Sequence, residues 1–138
     1  LHRSGHSFPT RRSSDLGAIR AHPDDPDAWL ALGNALVGHA EGVATPAALY
    51  AYDKAATLAP GHPGPPFFAG LALAQSGRFA EAREKWQGLL DRPLAPGNTE
   101  ADEPWRAVIG AQVQRLDMLI EAQRQQQAGG QGMAVQPQ

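Results

Sequence analysis

The sequence contains no cysteine, which removes disulfide frameworks, zinc–thiolate sites and thiol nucleophiles from consideration. The absence identifies no compartment, because periplasmic and cytosolic domains alike can lack cysteine. Strand formers are also scarce: Val, Ile and Thr together number 12, a poor supply for sheets that favour β-branched residues. No apolar run approaches the roughly 20 residues that a membrane helix needs. Basic excess is missing too, since 12 Lys and Arg stand against 14 Asp and Glu for a formal charge of −2. That balance argues against nucleic-acid binding, which relies on clustered cations. What the chain has in quantity is alanine, 25 of its 58 hydrophobic residues in a total of 138. The length is room for one domain, and the composition favours an all-α fold.

Residues Leu1–Leu16 (LHRSGHSFPTRRSSDL) show neither helical nor strand periodicity. The stretch resembles a translated sequencing-adapter sequence and is expected to be a disordered, non-native leader, with residues 17–25 as a linker. A basic targeting arm and a natural disordered leader are the competing readings. A signal peptide needs an apolar core of about 7–15 residues, and this segment has none. His2 and His6 have the spacing of two ligands on one helix face, but Pro9 opposes a helix there and no third ligand is in view. No metal site is assigned. Without these sixteen residues the chain carries nine basic and thirteen acidic side chains, a net of −4.

A repeat is legible in the middle of the chain. PDAWLALGNAL (Pro26–Leu36) places Trp29, Leu32, Gly33 and Leu36 at spacings of three, one and three. Ala48, Tyr52, Ala55 and Pro60 follow. The pattern resembles the tetratricopeptide repeat, with three extra residues in Gly38–Thr45, where the inter-helix turn falls. A second copy carries Gly70 and Leu73, then Gly77 in SGRFAEA (Ser76–Ala82), then Ala82, Trp86 and Leu89. It departs from the repeat at Pro66, where Trp is usual, and at Leu94, beside rather than on the closing Pro. Small residues at Gly33, Ala48, Ala55, Gly70 and Ala82 permit close helix approach. Trp29, Tyr52, Phe79 and Trp86 are expected to fill the space between successive pairs.

A last amphipathic helix carries Trp105, Val108, Ile109, Val113, Leu116 and Ile120 and would cap the stack. The expected helices run over about 26–40, 46–59, 66–76, 79–91 and 103–125. The predicted fold is all-α, a tetratricopeptide-like superhelix of two helix pairs plus a C-terminal capping helix. The repeat domain spans 26–125, and residues 126–138 form a disordered tail.

No catalytic constellation is found. Asp24, Asp25 and Asp27 suit the start of a helix, with Asp25 before Pro26 as its cap. Glu81, Glu84 and Lys85 read as a solvated face. His22, His39 and His62 sit in turns with no HExxH motif or paired acid, and no phosphate loop is present. The chain is expected to be a binding protein rather than an enzyme, and nothing calls for a cofactor or metal. In stacked helix pairs the first helix of each pair lines a concave surface. The inward positions are Leu30, Asn34 and Val37 in the first copy and Phe67, Leu71 and Ala74 in the second, with Arg106 and Val113 extending the line. Phe67 and Phe68 are the sharpest signal, because two adjacent helical residues cannot both face the core. Such a surface suits an amphipathic helical peptide. It lacks the several Lys, Arg and Asn of a carboxylate clamp.

The order of AWLALGNAL, AYDKAATLAP, GPPFFAGLALAQSGRFAEAREKWQGLL and PWRAVIGAQVQRL resembles the C-terminal domain of the CcmI/CycH-type cytochrome c biogenesis family. The resemblance covers about Pro23–Gln123. It implies a periplasmic, membrane-tethered chaperone that binds apocytochrome c, mainly through that protein's C-terminal helix, and presents it to the haem-ligation complex. It also implies membrane helices N-terminal to this domain, so a missing anchor is expected upstream of Leu1. The family's contact residues are not carried over. The alternative is a generic tetratricopeptide scaffold in envelope assembly or secretion, using the same groove.

Overall fold

The computed structural model describes residues 11–135, with side-chain surroundings for residues 16–130. Its regular structure is all helical: α1 (Arg11–Ala21), α2 (Pro26–His39), α3 (Pro46–Leu58), α4 (Gly64–Gln75), α5 (Phe79–Leu90), a 3-10 turn (Glu100–Asp102) and α6 (Trp105–Val135). The helix starts follow local chemistry. Asp25 accepts the Asp27 N–H at 2.9 Å ahead of Pro26, and Thr45 accepts the Ala48 N–H at 3.2 Å ahead of Pro46. Proline fits each first turn because its missing N–H would have had no helical partner. For the same reason Pro65 and Pro66 do not delay α4. The helix runs back to Gly64, whose N–H is accepted by His62 Nδ1 at 2.9 Å.

Helix α2 packs on α3, α4 on α5, and α3 on α4, while α5 also carries α6. The two hairpins α2–α3 and α4–α5 are built alike. A Cβ at Gly33 would lie 2.6 Å from the Tyr52 ring, and one at Gly70 would lie 2.3 Å from Trp86 Nε1. In each hairpin the first helix therefore seats its glycine against an aromatic of the second. The turns also match. After α4 the Arg78 N–H reaches Leu73 O and the Gly77 N–H reaches Ala74 O. After α2 the Gly42 N–H reaches Val37 O and the Glu41 N–H reaches Gly38 O. Both are Schellman closures. Gly77 holds the left-handed position at φ 76°, and Glu41 holds the equivalent one at φ 55°. The first turn is three residues longer than the second, 40–45 against 76–78, which accounts for the excess in the first repeat copy. One turn rests on the other: Ser76 Oγ accepts the Ala44 N–H at 2.8 Å.

The core runs through Ala48, Tyr52, Ala69, Leu73, Ala82, Trp86 and Leu89 to Ile109, Val113 and Leu116 of α6. Val113, expected to extend the concave line, is thus a core residue. Trp29 also differs from expectation. It is half-buried, packs edge-on against Tyr50 with ring centroids 6.0 Å apart, and donates its indole N–H to Pro23 O. Its truncation should therefore cost less than the ~3–5 kcal/mol of a fully buried tryptophan.

Two boundaries move. Residues 11–16 and 17–21, expected as leader and linker, form α1, which packs on α2 with Ile19 half-buried. Tertiary contact supplies what periodicity did not show. Helix α6 continues to Val135, ten residues past its expected end. A nucleated helix gains a hydrogen bond with each added residue, and Gln126, Gln127 and Ala128 are good helix formers, which carries the helix on although Gly129, Gly130 and Gly132 oppose it. Residues 121–130 are exposed, and Gln123 among them still reaches back to the α4–α5 turn, donating to Gly77 O at 3.1 Å. The His2 and His6 pair lies outside the described residues.

Gly70→Ala should lower stability by about 1–3 kcal/mol, since the added methyl must displace the Trp86 ring. Glu41→Gly should raise it by about 1 kcal/mol or less. Relief of the left-handed strain there exceeds the entropy that glycine adds to the unfolded chain. Urea denaturation midpoints at unchanged slope measure both.

Candidate binding cleft

An open apolar cleft of about 420 Å³ lies where α4 and α6 diverge. Pro63, Gly64 and Phe67 form one wall, Trp105, Val108 and Ile109 the other, and Leu89 of α5 the floor. No carboxylate, amine or amide side chain lines it. Phe67 is held from behind: it stacks on Trp86 at 6.2 Å and 21°, and Trp86 Nε1 donates to the Phe67 carbonyl at 3.1 Å. It also meets Phe68 edge-on at 5.2 Å. Val108 is 61% exposed while its neighbour Ile109 is 3% exposed. The cleft thus leaves the apolar Val108 side chain facing water beside Trp105 and Phe67.

The α6 wall is anchored by a buried ion pair. Arg106 is 7% exposed, and its Nε donates to Glu103 Oε2 at 2.6 Å. Nη1 donates to Leu90 O at 3.0 Å, and Nη2 to Arg92 O and Pro93 O at 2.8 and 3.1 Å. Glu103 accepts in turn from the Ala95 N–H at 2.9 Å and from Asn98 Nδ2 at 3.3 Å. These bonds gather the Pro/Gly linker against the first turn of α6. The Ala95 N–H first, and the Arg106 guanidinium second, hold the Glu103 carboxyl below the usual carboxylate range. Thr99 and Asp102 close a capping box in the same linker, and Arg83 of α5 pairs with Asp117 of α6.

Of the eight residues expected along the concave line, only Phe67 lies in this cleft. Leu71, 36% exposed, sits one turn along on the same helix face, and Ala74 continues that face half-buried. Leu30 packs towards Gly64 at the cleft's edge. Asn34 accepts the Tyr52 hydroxyl at 2.8 Å, and burial of that hydroxyl pushes its pKa up to about 12. Val37 packs partly buried against the core. Arg106 is a correction: it faces inward as the linker clamp, because its guanidinium finds a carboxylate and three carbonyls there. Sequence reasoning missed the α6 wall by treating Trp105, Val108 and Ile109 alike as the cap's core face. The signal was present, since Val108 and Ile109 are adjacent bulky residues, as Phe67 and Phe68 are.

The chain is 30% identical over 127 residues to the cytochrome c-type biogenesis protein CycH of Bradyrhizobium diazoefficiens. The match takes in 86% of this chain and 33% of that protein, so the chain spans about a third of the length of the relative. No family model matches the chain, and no solved structure gives a significant match. Among the described residues, no helix is long and apolar enough to cross a membrane, and no group of three His, Cys, Asp or Glu could hold a metal ion.

A carboxyl whose pKa is depressed by folding adds stability above its unfolded value and loses it as pH falls through the folded value. Glu103 should therefore stabilise the protein above its ordinary pKa near 4.5 and cease to do so in more acid solution. Thermal melts from pH 7 to pH 3 check this. Glu103→Gln should be less stable than wild type at pH 7, and the difference should shrink towards pH 3.

Proposed function

We propose that this chain is a helical peptide-binding module of tetratricopeptide type that works in cytochrome c maturation. It holds an apolar helix of apocytochrome c in the cleft between α4 and α6. The observation that carries the reading is the cleft itself: Phe67 and Val108 face each other across an opening with no charged or amide side chain in its walls. Such a site favours the apolar face of a helix over a chain terminus or a charged group. Two hairpins with matching glycine–aromatic contacts and matching turns support the repeat assignment. The printed name of the Bradyrhizobium relative supports the pathway. On this reading the domain is a chaperone rather than an enzyme. It acts in the periplasm beside the haem-ligation complex, tethered to the membrane by a segment N-terminal to it.

A labelled peptide from the C-terminal helix of an apocytochrome c should bind the full chain with micromolar or tighter affinity by fluorescence anisotropy. Val108→Glu should weaken it by at least tenfold while leaving helical circular dichroism unchanged, since it places a charge where binding would desolvate it. Phe67→Glu should weaken it as much but also lower the melting temperature, because the Phe67 ring stacks on Trp86. No binding at high protein concentration sinks the proposal. Equal binding of an unrelated amphipathic helix would favour the general scaffold in envelope assembly or secretion over the cytochrome chaperone.

A further inference from the structure

The one charged side chain buried among the described residues, Arg106, lies against Trp105, which lines the cleft. Stability alone does not explain it. A buried ion pair commonly gains no more than well-packed apolar groups of similar volume, because both charges must be desolvated. What the guanidinium does that an apolar side chain cannot is bond four separate points at once: Glu103 and the carbonyls of Leu90, Arg92 and Pro93. Leu90 is the last residue of α5 and Trp105 the first of α6, so the clamp spans the joint between them. The guanidinium carbon also lies 4.9 Å from the Trp105 ring centroid, within cation–π range. Arg92, whose carbonyl the clamp takes, sends its own Nη1 to Gly61 O at 3.3 Å. The linker is thereby tied to the loop that precedes Gly64, on the opposite wall.

We propose that Arg106 is a positioning residue of the cleft: through its fork to the linker and its contact with Trp105 it holds the α6 wall at a set distance from Phe67, ready for a helical ligand. The inference rests on the reading of the cleft as a binding site. It makes the site preformed rather than induced, so that little ordering is left to be done on binding. It also makes guanidinium geometry, rather than positive charge, the requirement. A lysine can meet Glu103 but has no planar fork to reach three carbonyls.

The test uses the full chain labelled with 15N and reads the three tryptophan indole N–H resonances, Trp105 being assigned from W105F. In Arg106→Lys, the variant more certain to fold, and in Arg106→Met, the Trp105 signal should shift and broaden while that of Trp29 stays in place. Leu32→Ala, a core truncation in α2, should lower the melting temperature without moving the Trp105 signal. With the apocytochrome c peptide as probe, at a temperature where all variants are folded, Arg106→Lys should weaken binding about tenfold and Leu32→Ala less than twofold. An unmoved Trp105 signal in Arg106→Lys overturns the inference. So does a Leu32→Ala effect on signal and affinity as large as that of Arg106→Lys. If wild type does not bind the peptide, the reading under the preceding heading falls, and the indole signals alone decide whether Arg106 positions the wall.

Discussion

The contact between Gly70 and the edge of Trp86 sets the position of almost everything around the cleft. With no Cβ at residue 70, α4 approaches α5 closely enough for the indole to lie against its backbone. From there the indole N–H reaches the Phe67 carbonyl, and the ring stacks on the Phe67 side chain. One missing methyl therefore aligns two helices, fills the core beneath them and orients the residue that forms a wall of the cleft. Helix α5, placed in this way, also supplies the surface on which α6 lies.

The first hairpin uses the same device with a different outcome. Gly33 receives Tyr52 as Gly70 receives Trp86, but the phenol ends in a hydroxyl. Burial of that hydroxyl requires an acceptor, and Asn34 supplies it. The polar residue expected to face a ligand is thus committed to its own hairpin. Trp86 meets its single hydrogen-bonding need at a backbone carbonyl and leaves the neighbouring face wholly apolar. The open site accordingly falls beside the second hairpin, where the next helix stands away from α4.

That separation has its own cause. The linker 91–104 carries Pro93, Pro96 and Pro104, which cannot continue a helix interior, and its polar backbone groups need partners. Arg106, in the first turn of α6, and Glu103, near the end of the linker itself, provide them. The result is a fixed joint in place of a flexible one, and α6 leaves it with Trp105 and Val108 facing Phe67 across the gap.

Much of this was legible in the residues. Alanine abundance and apolar spacing identified five of the six described α-helices, α2 to α5 to within two residues at each end. Glycine and aromatic spacing identified both hairpins, and the Phe67–Phe68 pair pointed to one wall of the cleft. Those features are local: they depend on helical period, on caps such as Asp25 and on the steric size of single residues. Helix α1 and the far end of α6 were not legible, because neither carries a strong apolar period. The direction of Arg106 was also hidden, since helical phase places a residue on a face without saying which carbonyls wait there. Sequence by itself determined an alanine-rich helical chain with two similar hairpins and an apolar face too large to bury completely. Only the tertiary structure decided where that face stays open. The opening depends on the distance between α4 and α6, which is set by Trp86 on one side and the Arg106 clamp on the other, through contacts that join residues remote in the chain.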